Sequence, residues 1–229
     1  MSGGPFSLQV GDTPNPTFAD TNLSAGTTYY YKVQATNALG SGPLSPAAFA
    51  TTTGGGGQTT ITLNPVADAH FESFNPTTAF GTSTNLRSQG NFSGSYTHAI
   101  ISFDLSPVQG KTVQSATLTV TEQVIAGING TVVAFQAATY TYNEILSTFD
   151  DVSVDPATDY EGPIATSPNI DDGVMTSYAI DVTAVVQYYA DNLATVTGIA
   201  SYTNSSGHQV FWGSREHTPA PPELEVIFQ

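Results

Sequence analysis

A chain of 229 residues, 39% of them hydrophobic, holds enough apolar material to bury a core in one or two domains and is not a disordered sequence. Its 19 acidic residues face only 4 basic ones, a formal charge of −15, yet charged residues make up just 10% of the whole. That field repels phosphate backbones and anionic membranes. Lys32, Arg87, Lys111 and Arg215 form no cluster to release counterions from a polyanion, so nucleic acid is excluded as a partner.

No run approaches the ~20 apolar residues of a membrane helix, so membrane insertion is not expected. The first six residues, Met1 to Phe6, lack the charged and apolar regions of a signal peptide. The reading is a piece of a longer extracellular or cell-surface chain, or a virion component that needs no export. Cysteine is absent, so no disulfide framework exists.

The first segment, residues 1–52, carries one clear period. Tyr29, Tyr31, Val33 and Ala35 alternate with Tyr30, Lys32, Gln34 and Thr36, the pattern of a half-buried strand, and Asn37 to Gly40 make a turn. With Phe18, Asp20, Leu23, Gly26, Tyr29 at a tyrosine-corner position, Val33, Asn37, Gly40 and Ser45 in order, the segment resembles the C-terminal half of a fibronectin type III domain. The resemblance implies a sandwich lacking its first three strands. Either the sequence is truncated there or a neighbouring molecule supplies them by strand addition, which would make self-association into a fibre part of the function.

Residues 53–59, with Gly54 to Gly57 at their centre, read as a flexible linker. From residue 60 to 229, short alternating runs are separated by Gly, Pro, Asn and Asp, which predicts an all-β, jelly-roll-like sandwich. Strands are predicted over 98–105, with Ile101, Phe103 and Leu105 on one face, and over 113–120, 131–135, 196–201, 209–212 and 224–228. Val182, Val185, Val186 and Tyr189 fall at helical spacing instead, so one short helix is expected, with Asp181 or Thr183 as its N-cap.

The order of Ala67 to His70, Asn75-Pro76, Phe80-Gly81, Ile101 to Ser106, Val113 to Leu118, Tyr142 to Glu144, Asp181 to Val186 and Trp212 to Glu216 resembles the DNRLRE domain family. These are β-sandwiches related to carbohydrate-binding modules, some of which bind alginate. The resemblance implies a non-catalytic module whose partner is a glycan or cell-surface polymer. With so few cations a neutral glycan is expected rather than a uronic-acid polymer. The alternative is a structural subunit of an extracellular fibre or virion.

A sugar-binding surface needs rings to stack on and polar groups to orient hydroxyls. Trp212 alternates with Val210 and is expected to point inward. Tyr96, Tyr140, Tyr142, Tyr160 and Tyr202, all near turns, are the expected surface rings. Arg87 and Arg215 either grip a carboxylated sugar or form internal ion pairs, with Asp104 or Glu216 as partners. Asp150, Asp151, Asp155 and Asp159 have the oxygen ligands that calcium needs but not EF-hand spacing. The resemblance adds Asp68 as a structural calcium ligand. No nucleophile elbow, zinc-protease motif or phosphate loop occurs, and no catalytic residue is expected.

Overall fold

The computed structural model describes residues 19–24, 26–53, 57–92, 94–123, 129–155, 158–171, 175–218 and 220–229. Phe18, the first six residues and Gly54 to Gly56 of the predicted linker lie outside the described residues. The chain divides into two units, Met1–Gly57 and Gln58–Gln229. Among the described residues no helix is long and apolar enough to cross a membrane.

The smaller unit contains β1 (Thr28–Tyr31), β2 (Gln34–Asn37), β3 (Gly40–Leu44) and β4 (Ala48–Thr51), with β1 paired to β4 and β2 to β3, both antiparallel. The expected alternation holds in β1, where Tyr29 and Tyr31 are half-buried and Thr28 and Tyr30 exposed. The single strand expected over 29–36 is interrupted at Lys32-Val33. There Val33 N–H donates to Ser45 Oγ at 3.0 Å and Val33 O accepts from Ser45 N–H at 2.8 Å, so the chain exchanges one neighbour for another. Asn37 Oδ1 accepts from Leu39 N–H, and Gly40 takes φ +128°, a value open to glycine, so the predicted turn forms.

The larger unit runs β5 (Thr59–Leu63), β6 (Ala67–Glu72), β7 (Asn85–Phe92), β8 (Ser95–Ser102), a 3-10 turn at Ser106–Val108, then β9 (Val113–Thr121), β10 (Asn129–Thr131) and β11 (Ala134–Ala138). It continues through α1 (Phe149–Val152), β12 (Tyr160–Thr166), β13 (Ile170–Asp171), β14 (Ser177–Asp181), α2 (Thr183–Asp191), β15 (Gly198–Tyr202), β16 (Gln209–Gly213) and β17 (Glu223–Phe228). A seven-stranded sheet has the order β12-β11-β15-β8-β7-β16, with β6 also paired to β8. A four-stranded sheet has the order β14-β9-β17-β5. The unit is thus a β-sandwich.

Alternation decides what lies between the sheets. Ile101, Phe103 and Leu105 share the main core with Leu118, Phe135, Ile180, Leu224 and Trp212, all 2% exposed or less. Trp212 points inward as its period requires, 6.0 Å from Phe135 and 6.2 Å from Tyr178 between ring centroids. Each such side chain contributes about 1.5–3 kcal/mol through burial. Ile100, the next residue in β8, belongs instead to a second apolar cluster with Ala69, Phe71, Ala138 and Ala200. Neighbours along a strand face opposite sides, so the large sheet is covered on both.

In α2, Val185, Val186 and Tyr189 are buried. Asp181 Oδ1 accepts from Thr183 N–H at 3.0 Å and Thr183 Oγ1 at 2.6 Å, anchoring the first turn. The expectation of a single helix is corrected by α1. This one turn starts where Thr148 N–H and Oγ1 both donate to Asp151 Oδ2 at 2.8 Å.

Candidate functional site

The structure brings all five expected tyrosines together, but not at the surface. Tyr140, Tyr160 and Tyr202 are 6–7% exposed in the second cluster, and Tyr96 and Tyr142 are half-buried. Tyr160 and Tyr202 stack at 5.0 Å, Tyr140 lies 6.3 Å from Tyr160 and 6.4 Å from Tyr142, and Tyr96 packs 5.6 Å from Phe149. Four of the hydroxyls are used locally, while Tyr140 Oη is buried with no hydrogen-bond partner among the described residues. Tyr96 donates to Val154 O at 3.2 Å, Tyr202 to Gln136 Oε1 at 2.8 Å, and Tyr142 lies 2.9 Å from Ser102 Oγ. The expectation of surface rings is corrected because the segment 139–155 folds back over the sheet, so rings near turns in sequence end up beneath it. At the centre, His98 is buried, and burial lowers its pKa to about 4; its Nδ1 is 2.6 Å from Tyr160 Oη.

Arg215 closes a latch over the start of β6. Its guanidinium meets Glu144 Oε2 at 2.7 Å and Glu216 Oε1 at 2.9 Å, and its backbone N–H donates to Asp68 Oδ2 at 2.7 Å. Asp68 N–H in turn donates to Glu144 Oε1 at 2.8 Å. Gly81 permits the close approach, since a Cβ there would sit 1.5 Å from Glu144 O. Asp68 is 1% exposed. Burial pushes its carboxyl up to about 7, aided by Glu216 and Glu144 and opposed by the Arg215 N–H and charge.

The acidic turn serves its own backbone: Asp151 caps α1, and Asp159 Oδ2 accepts from Asp155 N–H at 2.7 Å. Asp150 is exposed, and its N–H donates to Pro76 O. Among the described residues no three His, Asp or Glu side chains are grouped as a metal ion requires.

Arg87 is the expected site residue with a surface around it. Its partner is Glu72, with Nη1 2.9 Å from Oε1, rather than Asp104, which accepts from Ser106 N–H. Arg87 Nη2 donates to Gln89 Oε1 and to Gln209 Oε1. The guanidinium carbon lies 4.9 Å from the centroid of the Phe74 ring and 5.3 Å from that of Phe211. Glu72 Oε2 accepts from Asn75 Nδ2 at 2.6 Å, and His70 Nε2 is 3.6 Å from Oε1. Burial pushes the Glu72 carboxyl up, but His70, Asn75 and Arg87 outweigh it and hold the value at about 2. Two buried nitrogens here, His70 Nδ1 and Arg87 Nε, have no hydrogen-bond partner among the described residues.

Phe74 is 39% exposed and Phe211 half-buried, so the arrangement offers rings at a surface and a fixed polar array between them. Sequence reasoning missed Phe74, Phe211, Glu72, Gln89 and Gln209. One signal was present: the alternation that turns Val210 and Trp212 inward turns Gln209 and Phe211 outward.

The sequence profile of Carbohydrate-binding module family 96 matches residues 59–228, nearly the whole larger unit. No curated protein matches the chain. A solved structure from work on the structural basis for the promiscuous specificity of carbohydrate-binding modules of the beta-sandwich super family is similar over 88% of this chain and 72% of that one. Its identity is 14% and its TM-score 0.23. The two sheets themselves show the β-sandwich. By the match over 59–228, the chain belongs to Carbohydrate-binding module family 96.

Proposed function

We propose that the larger unit is a non-catalytic module that takes up a neutral glycan on the surface formed by Phe74, Arg87 and Phe211, outside the cell or at its surface, as part of a larger multidomain protein. The observation that carries the reading is the paired state of Arg87, whose charge is met by Glu72 at 2.9 Å while two phenyl rings flank it. Arg215 is matched by Glu144 and Glu216 in the same way. A uronic-acid polymer therefore meets paired arginines within a field of −15, whereas an uncharged sugar pays neither cost. The DNRLRE-type likeness accords with such a module.

Calorimetric titration against neutral polysaccharides and alginate tests this. Phe211→Ala is expected to weaken neutral-glycan binding at least about ten-fold, ~1.4 kcal/mol, with the melting temperature little changed. Preference for alginate, or binding indifferent to Phe211, would overturn it.

One observation favours a second reading. In the smaller unit Val33, Leu39 and Phe49 are 72%, 97% and 71% exposed, which fits half of a fibronectin-like sandwich that another protomer completes. Tyr29 Oη, which accepts from Ser24 N–H at 2.9 Å, supports the fibronectin likeness. Light scattering is expected to show polymers on this reading. A concentration-independent monomer rules it out, and loss of polymers in EDTA would put a cation at the joint.

A further inference from the structure

Of the four strands that end the two sheets of the larger unit, three are guarded against a further strand. β12 carries Pro163, which has no N–H, beside Gly162 at φ +74°, and its pairing with β11 slips between Gln136 and Ala137. β16 already accepts Gln123 N–H on Phe211 O at 2.8 Å and bridges to Glu122. β14 carries the exposed Asp181, lies beside β12 and runs on into α2. β6, which also has one partner, is buried from Asp68 to Glu72. β5 has none of these devices. Its sequence, Thr59 to Leu63, contains no charge, proline or glycine and pairs with β17 without a register shift. Among the described residues no strand pairs with its other side.

The flank of the core shows the same gap. Leu224 and Val226 on β17 are fully buried, yet Leu63 and Ile61, which pair with them and pack on the main core, are only half-buried. A strand added beyond β5 covers them when its own apolar residues keep the period of two. β5 of a second copy does so: run antiparallel about a two-fold axis through Thr62, it sets Ile61 of each copy against Leu63 of the other. We infer that two copies of this chain associate through β5, joining their four-stranded sheets edge to edge. Charge favours a second copy as the occupant, because the edge itself is uncharged in a chain of −15. Glu225, opposite Thr62 on β17, ends three strand spacings from its counterpart, about 14 Å against a screening length of ~8 Å. One short strand from each copy is a small contact, so the dimer is weak and concentration-dependent. It requires neither the glycan site nor the smaller unit.

The test is sedimentation velocity of the full chain from micromolar to near-millimolar concentration. The parent is expected to move from the mass of one copy toward that of two. Thr62→Glu sets two carboxylates against each other on the axis and is expected to stay monomeric over the same range, whereas Thr62→Val is expected to behave as the parent. Thr62→Lys, which faces its own Glu225 and so keeps the fold, is expected to be monomeric alone and to form a mixed dimer with Thr62→Glu in an equimolar mixture. Melting curves check that each variant is folded. A parent that stays monomeric, a Thr62→Glu chain that associates as the parent does, or a mixture no heavier than its components overturns the inference. Association that passes two copies and ignores Thr62→Glu also overturns it and assigns self-assembly to the smaller unit instead.

Discussion

Arg87→Met is expected to destabilise the larger unit by about 3–5 kcal/mol at pH 7 and to abolish glycan binding, because it strands the Glu72 carboxylate, 5% exposed, without its cation. The pH dependence carries a second signature. Glu72 is held at about 2 against its ordinary 4.5, so its contribution is full above 4.5 and is lost as pH falls through 2. Without Arg87 the folded-state value rises, and this loss in acid shrinks or reverses. Changing both partners, Arg87→Met with Glu72→Leu, is expected to recover most of the stability but not the binding, since nothing then orients Gln89 and Gln209. Urea unfolding together with calorimetry checks both. An Arg87→Met protein as stable as the parent at pH 7 would show that the pair does not hold the surface.

The second large effect is hidden in the unaltered protein, because two buried groups oppose each other. Asp68 is raised from 3.8 to about 7, so its contribution is full below 3.8 and is lost as pH rises through 7, by about 4 kcal/mol. His98 is lowered from 6.5 to about 4 by burial among Tyr96, Tyr160 and Tyr202, so its contribution is full above 6.5 and is lost as pH falls through 4, by about 3 kcal/mol. Between about pH 4 and 6.5 the two slopes cancel. Asp68→Asn is expected to expose the His98 slope, with stability falling in acid, and to raise the melting point at pH 8. His98→Gln is expected to show the reverse slope. Melting curves from pH 4 to 8 decide it; two variants running parallel to the parent would mean that neither group titrates as stated.

The parts of the fold that period two and period 3.6 control were legible. Ile101, Phe103, Leu105 and Trp212 face the core as their alternation requires, and Val185, Val186 and Tyr189 line the buried side of α2. The candidate surface was not, because its contacts join distant positions. Arg87 meets Glu72 from 15 residues away and Gln209 from 122 away, and no local pattern announces either. The tyrosines failed for a related reason: a turn in sequence signals exposure only when the segment after it leaves the sheet, and 139–155 returns to cover it. The resemblance offered Asp68 as a structural calcium ligand, and no local pattern announced that Arg215, far along the chain, donates its backbone N–H to that carboxylate.

The place of β17 has a consequence for how this protein is made. The last strand in chain order is not an edge. It lies between β9 and β5 and holds both, with Phe228 opposite Thr59 and Val113. Until residues 223–228 leave the ribosome, β5 has no neighbour in that sheet and β9 lacks one of its two. Productive folding therefore waits for the end of the module, and closure across nearly its whole length makes the rate-limiting step slow. During synthesis the unpaired edges of β5 and β9 are exposed to other chains, which makes this interval the point at which a chaperone matters most.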